Sequence, residues 1–427
     1  MRVLVGVRCL KHSKAGIGHY TTELIAALKA LDHGPKVGTF PGPLLLQGVR
    51  AWYDYAPALK RRICSLLKRR GEESDLTSPA KDSRARPDEI EEQTRQQQAP
   101  WLFRQGAHWA KSIYSHQLRA AFNPAQFDLY HEPNYYPIPC DLPTLVTIHD
   151  LSALLYPQWH SAERVRMHEE LFDRLIPSKV HFLTVSEYVK TQMEEHLGIA
   201  SDRIHVSPNG VRTNLKPLSK NTLESGLHRL GLKPGYFLHV GTIEPRKNLP
   251  LLMRAWADLP PSLRNKHPLV LAGAVGWKDR LEIDMMRDLK GLGLIHLGYV
   301  PERDLAALYG GARALAFPSF EEGFGMPVVE MLACGGAVVS APAGAVEEVA
   351  GEGVHLIRSG DLSDWRKALA QVATDDAFFA QLRNHSQKIA APYTWQACAQ
   401  KTMLAYRAVL AGGLKPKQIN QLAGTRA

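Results

Sequence analysis

Two short strings in this chain combine cations, carboxylates and glycines at spacings that suit binding chemistry. One is Glu322-Gly-Phe-Gly-Met-Pro-Val-Val-Glu330, where two carboxylates stand either side of a glycine-bounded turn and a helix start. The other, Gly241-Thr-Ile-Glu-Pro-Arg-Lys-Asn-Leu249, begins where the apolar run Tyr236–Val240 ends. Arginine grips phosphate oxygens bidentately and lysine adds a compact point charge, so Arg246 and Lys247 suit a diphosphate. Carboxylates accept two hydrogen bonds from a vicinal diol without competing as donors, so Glu322 and Glu330 suit sugar hydroxyls. Adjacent basic residues are most often solvated surface. Their position after a strand and a glycine puts these two at the mouth of a cleft, as a diphosphate clamp for a nucleotide sugar.

The turn between the carboxylates has its own logic. Gly323 and Gly325 let the backbone approach a ligand without Cβ interference. Pro327 fits a first helical turn, where its missing N–H costs little. The N–H groups of Phe324, Gly325 and Met326 then point at negative charge, aided by the helix dipole. Glu322 precedes the turn and Glu330 rides the helix, so each can serve a different part of a long ligand.

Alternating strands and helices must hold these strings. In the first half, Val3–Val7, Leu145–Ile148 and Phe182–Val185 read as buried strands and Tyr20–Leu31 as a helix. In the second, the strands are Tyr236–Val240, Leu269–Ala272, Leu294–Leu297, Ala314–Phe317 and Ala337–Ser340. Amphipathic segments at Pro250–Leu259, Asp304–Gly310 and Met326–Leu332 separate them. This alternation predicts an α/β protein with two doubly wound parallel sheets. Ser207-Pro-Asn-Gly-Val211 and the polar run Thr213–Glu224 predict an interdomain linker near 212–230. The 71–100 stretch is polar and Pro-containing with almost no large apolar residue, which predicts a mobile insertion.

At 427 residues the chain exceeds what one core usually holds, so two domains are expected. The five cysteines are scattered and none sits at metal-ligand spacing, which predicts reduced thiols in a cytoplasmic protein. Past Met1-Arg2 the chain enters the apolar run Val3–Val7 with no basic n-region and no cleavage site, which predicts a first strand rather than a signal peptide. No run of about 18 apolar residues is present, so no spanning segment is expected. The net charge of +10 concentrates at Lys60, Arg61, Arg62, Lys68, Arg69 and Arg70. Aromatics stand nearby, at Trp52, Tyr53 and Tyr55 and again at Trp101, Phe103 and Trp109. Segments 44–70 and 101–119 therefore suit peripheral contact with an anionic bilayer, or equally a solvated helical face. No nucleic-acid-binding motif accompanies the charge.

These residues resemble glycosyltransferase family 4, retaining enzymes of GT-B architecture with a Glu-x7-Glu signature. The resemblance rests on Gly16-Ile-Gly-His-Tyr20, His149-Asp150, Val185-Ser186, Pro208-Asn-Gly-Val211, Gly241–Leu249, Leu297-Gly-Tyr-Val300, Glu322–Glu330 and Tyr393-Thr-Trp395. It covers nearly the whole chain outside about 45–120. Within the family the chain is most similar to bacterial mannosyltransferases that assemble surface polysaccharides. His19 stands where those enzymes often carry Arg.

The resemblance implies two Rossmann-like domains facing across a cleft: an acceptor-side domain over 1–212 and a nucleotide-sugar domain over 213–395. A C-terminal segment, 396–427, would pack back on the first domain. Arg246 and Lys247 would hold the diphosphate and stabilise the leaving group in place of a metal. Glu322 would bind the transferred sugar, Glu330 the ribose, and His149 the donor sugar. The Gly16-Ile17-Gly18 loop would pack against the phosphates, and Gly241, Tyr299 and Val300 would line the nucleotide site. The donor would be GDP-mannose, or else a UDP-sugar, and the acceptor a glycan or lipid-linked glycan. No Asp-x-Asp triplet is placed to hold a metal, so no cofactor is expected. Reaction would retain configuration by front-face displacement, in the cytoplasm or on the inner face of the membrane. A UDP-glucosyl- or N-acetylglucosaminyltransferase and a non-catalytic scaffold remain as alternatives.

Overall fold

The computed structural model describes residues 1–11, 16–40, 124–276 and 280–412. The insertion expected at 71–100, the basic aromatic segments 44–70 and 101–119, Cys64 and residues 413–427 lie outside the described residues.

Two parallel six-stranded sheets form the described structure. The first contains β1 (Arg2–Gly6), β2 (Lys36–Phe40), β3 (Leu129–Glu132), β4 (Thr144–Ile148), β5 (His181–Thr184) and β6 (Ile204–Val206), in the order β2-β1-β3-β4-β5-β6. The second contains β7 (Tyr236–Val240), β8 (Leu269–Ala272), β9 (Ile295–Gly298), β10 (Ala312–Phe317), β11 (Val338–Ser340) and β12 (His355–Leu356), in the order β12-β11-β10-β7-β8-β9. Most central strands are buried along their whole length, as in LVLA of β8 and TLVTI of β4. Such runs are what a sheet covered by helices on both faces requires.

The strand order reverses between β1 and β3 in the first sheet and between β7 and β10 in the second. Ligands of open α/β sheets bind beyond the carboxyl ends of strands at such switch points. The Arg246-Lys247 pair follows β7 and Glu322 follows β10, so the topology delivers both strings to one crevice.

Among the helices that cover these sheets are α1 (Gly16–Ala30), α2 (Ala162–Leu175), α3 (Glu187–Leu197), α4 (Lys220–Leu230) and α5 (Leu249–Ala257). Helix α1 begins at Gly16, four residues before the expected start. Gly16-Ile17-Gly18 is therefore the first turn of a helix and not a loop. The expected linker also holds a helix, α4. Ser219 caps it by accepting from the Thr222 N–H at 3.4 Å, and Gly231 ends it at φ +67°. Leu227 is its apolar anchor, buried in the second sheet's core with Leu308, Tyr309 and Tyr236. The polar face of α4 is solvated, which is why its sequence reads as linker.

Of the helices in the second half and the return, three bear on the site: α6 (Glu302–Gly311), α7 (Met326–Ala333) and α8 (Trp395–Gly412). Helix α8 leaves the second sheet and packs on the first. Trp395, Cys398, Ala399, Met403, Tyr406 and Val409 share a core with Val3, Val5, Leu24 and Leu145. A buried polar chain fixes this packing: His131 pairs with Tyr406 Oη and Thr147 Oγ1, each at 2.8 Å. Burial drives His131 down to about 3, so the imidazole is neutral and bridges two hydroxyls.

Candidate active site

The clamp starts from backbone geometry. After β7, Gly241 takes φ +156° and a short 3₁₀ turn, Pro245–Lys247, presents two consecutive cations. Asn248, at φ +50°, then redirects the chain into α5. After β10 the chain runs through Ser319, Phe320 and Glu321 to Glu322. The Phe320 N–H donates to the Arg246 carbonyl at 2.9 Å, stitching the two loops together.

Arg246 and Lys247 converge on one carboxylate. Arg246 Nη1 donates to Glu322 Oε2 at 2.9 Å and to the Glu321 carbonyl at 2.6 Å. Lys247 Nζ donates to Glu322 Oε1 at 2.6 Å and stands 5.5 Å from the Phe317 ring centre. Glu244 holds the far side of the guanidinium, accepting from Nη2 at 2.9 Å. Burial alone would raise the Glu322 carboxyl, but Arg246 and Lys247 outweigh it and bring it to about 2. Burial and neighbouring Arg246 push Lys247 down, with Glu322 opposing. Two cations and their counter-ions are thus fixed in a largely buried crevice, an arrangement chemically able to stabilise developing negative charge.

The other carboxylate has a different setting. Glu330, on α7, accepts from Tyr309 Oη at 2.7 Å and from Arg212 Nη1. Here burial dominates and the carboxyl is raised, with Arg212 opposing.

The first sheet closes on this site through its own loops. His149, just past β4, donates from Nε2 to the Pro133 carbonyl at 2.9 Å and meets Tyr20 edge-on at 4.8 Å. A Cβ on Gly323 would fall 1.9 Å from the His149 carbonyl oxygen, so only glycine allows this approach. Ser186 Oγ, the N-cap of α3, donates to the Gly323 carbonyl at 2.7 Å. Burial opposes ionisation of Asp150, but Arg246, the two hydrogen bonds from Ser152 and Arg164 together outweigh it and lower its carboxyl. Glu321 accepts from Tyr188 Oη at 2.9 Å and Gln192 Nε2 at 3.2 Å, both on α3. Burial pushes its carboxyl up to about 7 against those two bonds.

The structure gathers Arg246, Lys247, Glu322, Gly323, His149 and Gly241 into one crevice. The other residues singled out from sequence are spread around it. Phe324 is buried with its ring edge-on to Tyr393 at 5.5 Å, so it serves the core. Gly325 takes φ +84° as the N-cap of α7, and Met326 is half-buried on the first turn. Tyr299 is half exposed and Val300 buried on the turn between β9 and α6. Gly16 is exposed and Gly18 buried at the start of α1. Sequence reasoning did not single out Asp150, Glu244, Glu321, Tyr309 or Arg212 as site residues. Arg212 directly follows the Pro208-Asn-Gly-Val211 string, which was the signal for it. Tyr309 and Glu321 carried no signal, since each matters only through tertiary contact. Among the described residues no group of three His, Cys, Asp or Glu side chains could hold a metal. No helix among them is long and apolar enough to cross a membrane.

Two family profiles match the chain: Glycosyltransferase Family 4 over residues 61–215 and Glycosyl transferases group 1 over residues 225–390. The chain thus carries a family 4 glycosyltransferase domain followed by a group 1 glycosyltransferase domain. It is 28% identical over 412 residues to the O-antigen chain mannosyltransferase B of Escherichia coli, spanning 95% of this chain and all of that one. It is 30% identical over 216 residues to the serotype-specific mannosyltransferase WbdA of E. coli, a match covering 49% of this chain and 26% of WbdA. Among solved structures it is similar to Anabaena HepE in complex with UDP and glucose, with TM-score 0.61 and 18% identity over 95% of this chain and 99% of that one. It is also similar to WaaG, a glycosyltransferase involved in lipopolysaccharide biosynthesis, with TM-score 0.63 and 14% identity over 94% and 98%. At those identities the likeness concerns the fold, which is GT-B. The GT-B fold thus carries the paired carboxylates and the cation pair at the switch point of the second sheet.

Proposed function

We propose that this glycosyltransferase moves mannose from GDP-mannose onto a glycan or lipid-linked acceptor during surface polysaccharide assembly. The observation that carries the reading is the convergence of Arg246 and Lys247 on Glu322 beside the His149 loop. The two cations take the diphosphate, and Glu322 takes hydroxyls of the transferred sugar. Glu330 accepts the ribose hydroxyls. Tyr299 and Val300 flank the base, Gly241 and the first turn of α1 at Gly16 and Gly18 approach the phosphates, and His149 contacts the donor sugar. Similarity to two mannosyltransferases supports the sugar; HepE's complex with UDP keeps a uridine donor as the second reading.

In this reading the division of labour follows the two halves. Residues 1–212 form the acceptor side and 213–395 the donor side, with 396–412 returning to the first domain. Arg246 and Lys247 neutralise charge on the β-phosphate as the anomeric C–O bond breaks, and no metal is needed. The acceptor oxygen attacks the same face of the sugar, its proton passes to the departing phosphate oxygen, and GDP leaves. Configuration is retained. The segments at 44–70 and 101–119 contact the anionic inner face of the membrane, where lipid-linked acceptors reside.

The direct test supplies GDP-mannose with lipid-linked glycan acceptors and follows GDP release and product anomeric configuration. GDP released only with acceptor, with an α-linked product, supports the reading. Transfer from UDP-sugars alone overturns the donor, and binding without any transfer overturns the enzyme.

A further inference from the structure

The crossover from the first sheet to the second ends on a cation that has not yet been given a task. It runs from Ser207 to Arg212 and is held hard against the start of α8. Ser207 Oγ donates to the Cys398 carbonyl at 2.9 Å and the Val211 N–H to the Tyr393 carbonyl at 2.8 Å. A Cβ on Gly210 would sit 2.3 Å from the Trp395 nitrogen, so the backbone itself forms the contact. Such a loop has little freedom to move its last side chain. Arg212 Nη1 pairs with Glu330 Oε1, and Arg212 Nε lies 3.8 Å from Glu302 Oε1. The Arg212 side chain is 18% exposed and that of Glu330 6% exposed.

An ionised carboxylate offers about four lone-pair positions, two on each oxygen. Arg212 uses one on Oε1, and Tyr309 Oη uses one on Oε2 at 2.7 Å. One position per oxygen remains, which is the acceptor pattern a vicinal diol needs. The groups facing this carboxylate from the packed elements are Arg212 from the crossover, Tyr309 and Glu302 from α6, and Cys334 beyond the end of α7. His19 and Glu23 on α1 feel Arg212 from the other side, and burial with Arg212 keeps His19 neutral, at about 4. Arg212 is therefore the one cation among the described residues that touches Glu330. We propose that Arg212 is a positioning residue for the nucleoside, fixing and aiming the Glu330 carboxylate so that it takes both ribose hydroxyls. This rests on the reading of Glu330 as the ribose ligand given above.

The test uses the full chain and two probes, GDP and 2′-deoxy-GDP, titrated against the wild type, Arg212→Met and Arg212→Lys. Removing one hydrogen bond to a charged acceptor costs roughly tenfold or more, so the wild type prefers GDP by at least about that factor. Arg212→Met binds GDP more weakly and loses most of the preference, while 2′-deoxy-GDP binding changes little. Arg212→Lys recovers part of it. The ratio of two affinities in one preparation is insensitive to any unfolded fraction. Arg212→Met also makes GDP affinity fall more steeply as pH drops than in the wild type, because only the Tyr309 hydrogen bond then opposes the burial that favours protonated Glu330. A full preference for GDP in Arg212→Met, with wild-type pH dependence, overturns the positioning role and leaves Glu330 as ribose ligand. No preference in the wild type overturns the ribose reading itself, and the proposal with it.

Discussion

Glu322 and Glu330 are both buried and lie in one short string, yet the protein gives them opposite electrostatics. Two cations from the turn after β7 embrace Glu322 and hold it at about 2, so it stays ionised at any physiological pH. One cation from the crossover meets Glu330, and burial wins there, raising the carboxyl. Residue type therefore decides little about a buried carboxylate; the number and origin of its counter-ions decide its charge. The crevice at the switch point is built for permanent charge separation. The Glu330 side is a more adaptable acceptor whose charge is supported by one arginine and one tyrosine hydroxyl.

The largest expected effect comes from breaking the first setting. Glu322→Ala strands two buried cations, so turnover falls by about a hundredfold to a thousandfold. GDP affinity changes far less, because the cations remain to bind it. Steady-state kinetics beside a nucleotide titration separates the two, and an unchanged turnover contradicts the role. Lys247→Met is next: it removes one cation from the diphosphate, and kcat/KM falls about a hundredfold with Arg246 still in place. Glu330→Gln sharpens the contrast. It weakens GDP by roughly tenfold, from about 1.5 kcal/mol of lost charge-assisted hydrogen bonding, while kcat changes little.

Stability against pH separates the carboxylates by sign. A carboxyl lowered in the folded state adds stability above its ordinary value of 4.5, and that stability is lost as pH falls toward about 2. Glu322 thus contributes on the order of 3 kcal/mol that disappears in that window. Thermal melts from pH 5 to pH 2 should show the loss in the wild type and a flatter profile in Glu322→Gln. Glu321 has the opposite sign. Raised to about 7, it adds stability below 4.5 that is lost as pH rises through 7, and Glu321→Gln removes that slope. The smallest effect is at Glu348, which caps α3 from the second half by accepting from the Glu187 and Tyr188 N–H groups, each at 2.9 Å. Glu348→Ala should cost about 1 kcal/mol in a denaturant melt.

The same contrast explains what could be read in the sequence. The strands Tyr236–Val240 and Leu269–Ala272 were legible to the residue because continuous apolar runs flanked by glycine or turns leave no other reading. The Arg246-Lys247 and Glu322–Glu330 strings were legible because each follows such a strand. Short or half-exposed strands such as Lys36–Phe40 and His355–Leu356 were not, since few of their residues are buried. Helix α4 was hidden by its solvated face. The partners of the carboxylates were hidden for a deeper reason: Arg212, Tyr309 and Gln192 reach the site from elements far apart in the chain, and no local pattern records the meeting.

A crevice that binds a nucleotide sugar by its diphosphate, with mannose carried on guanosine, should discriminate among donors. The most direct measurement titrates the purified chain, without added metal, with GDP-mannose, UDP-glucose and UDP-N-acetylglucosamine. GDP-mannose should bind most tightly, and Lys247→Met should weaken it. Preference for a uridine donor would contradict the mannose assignment while leaving the clamp standing, and no binding to any of the three would contradict the clamp itself.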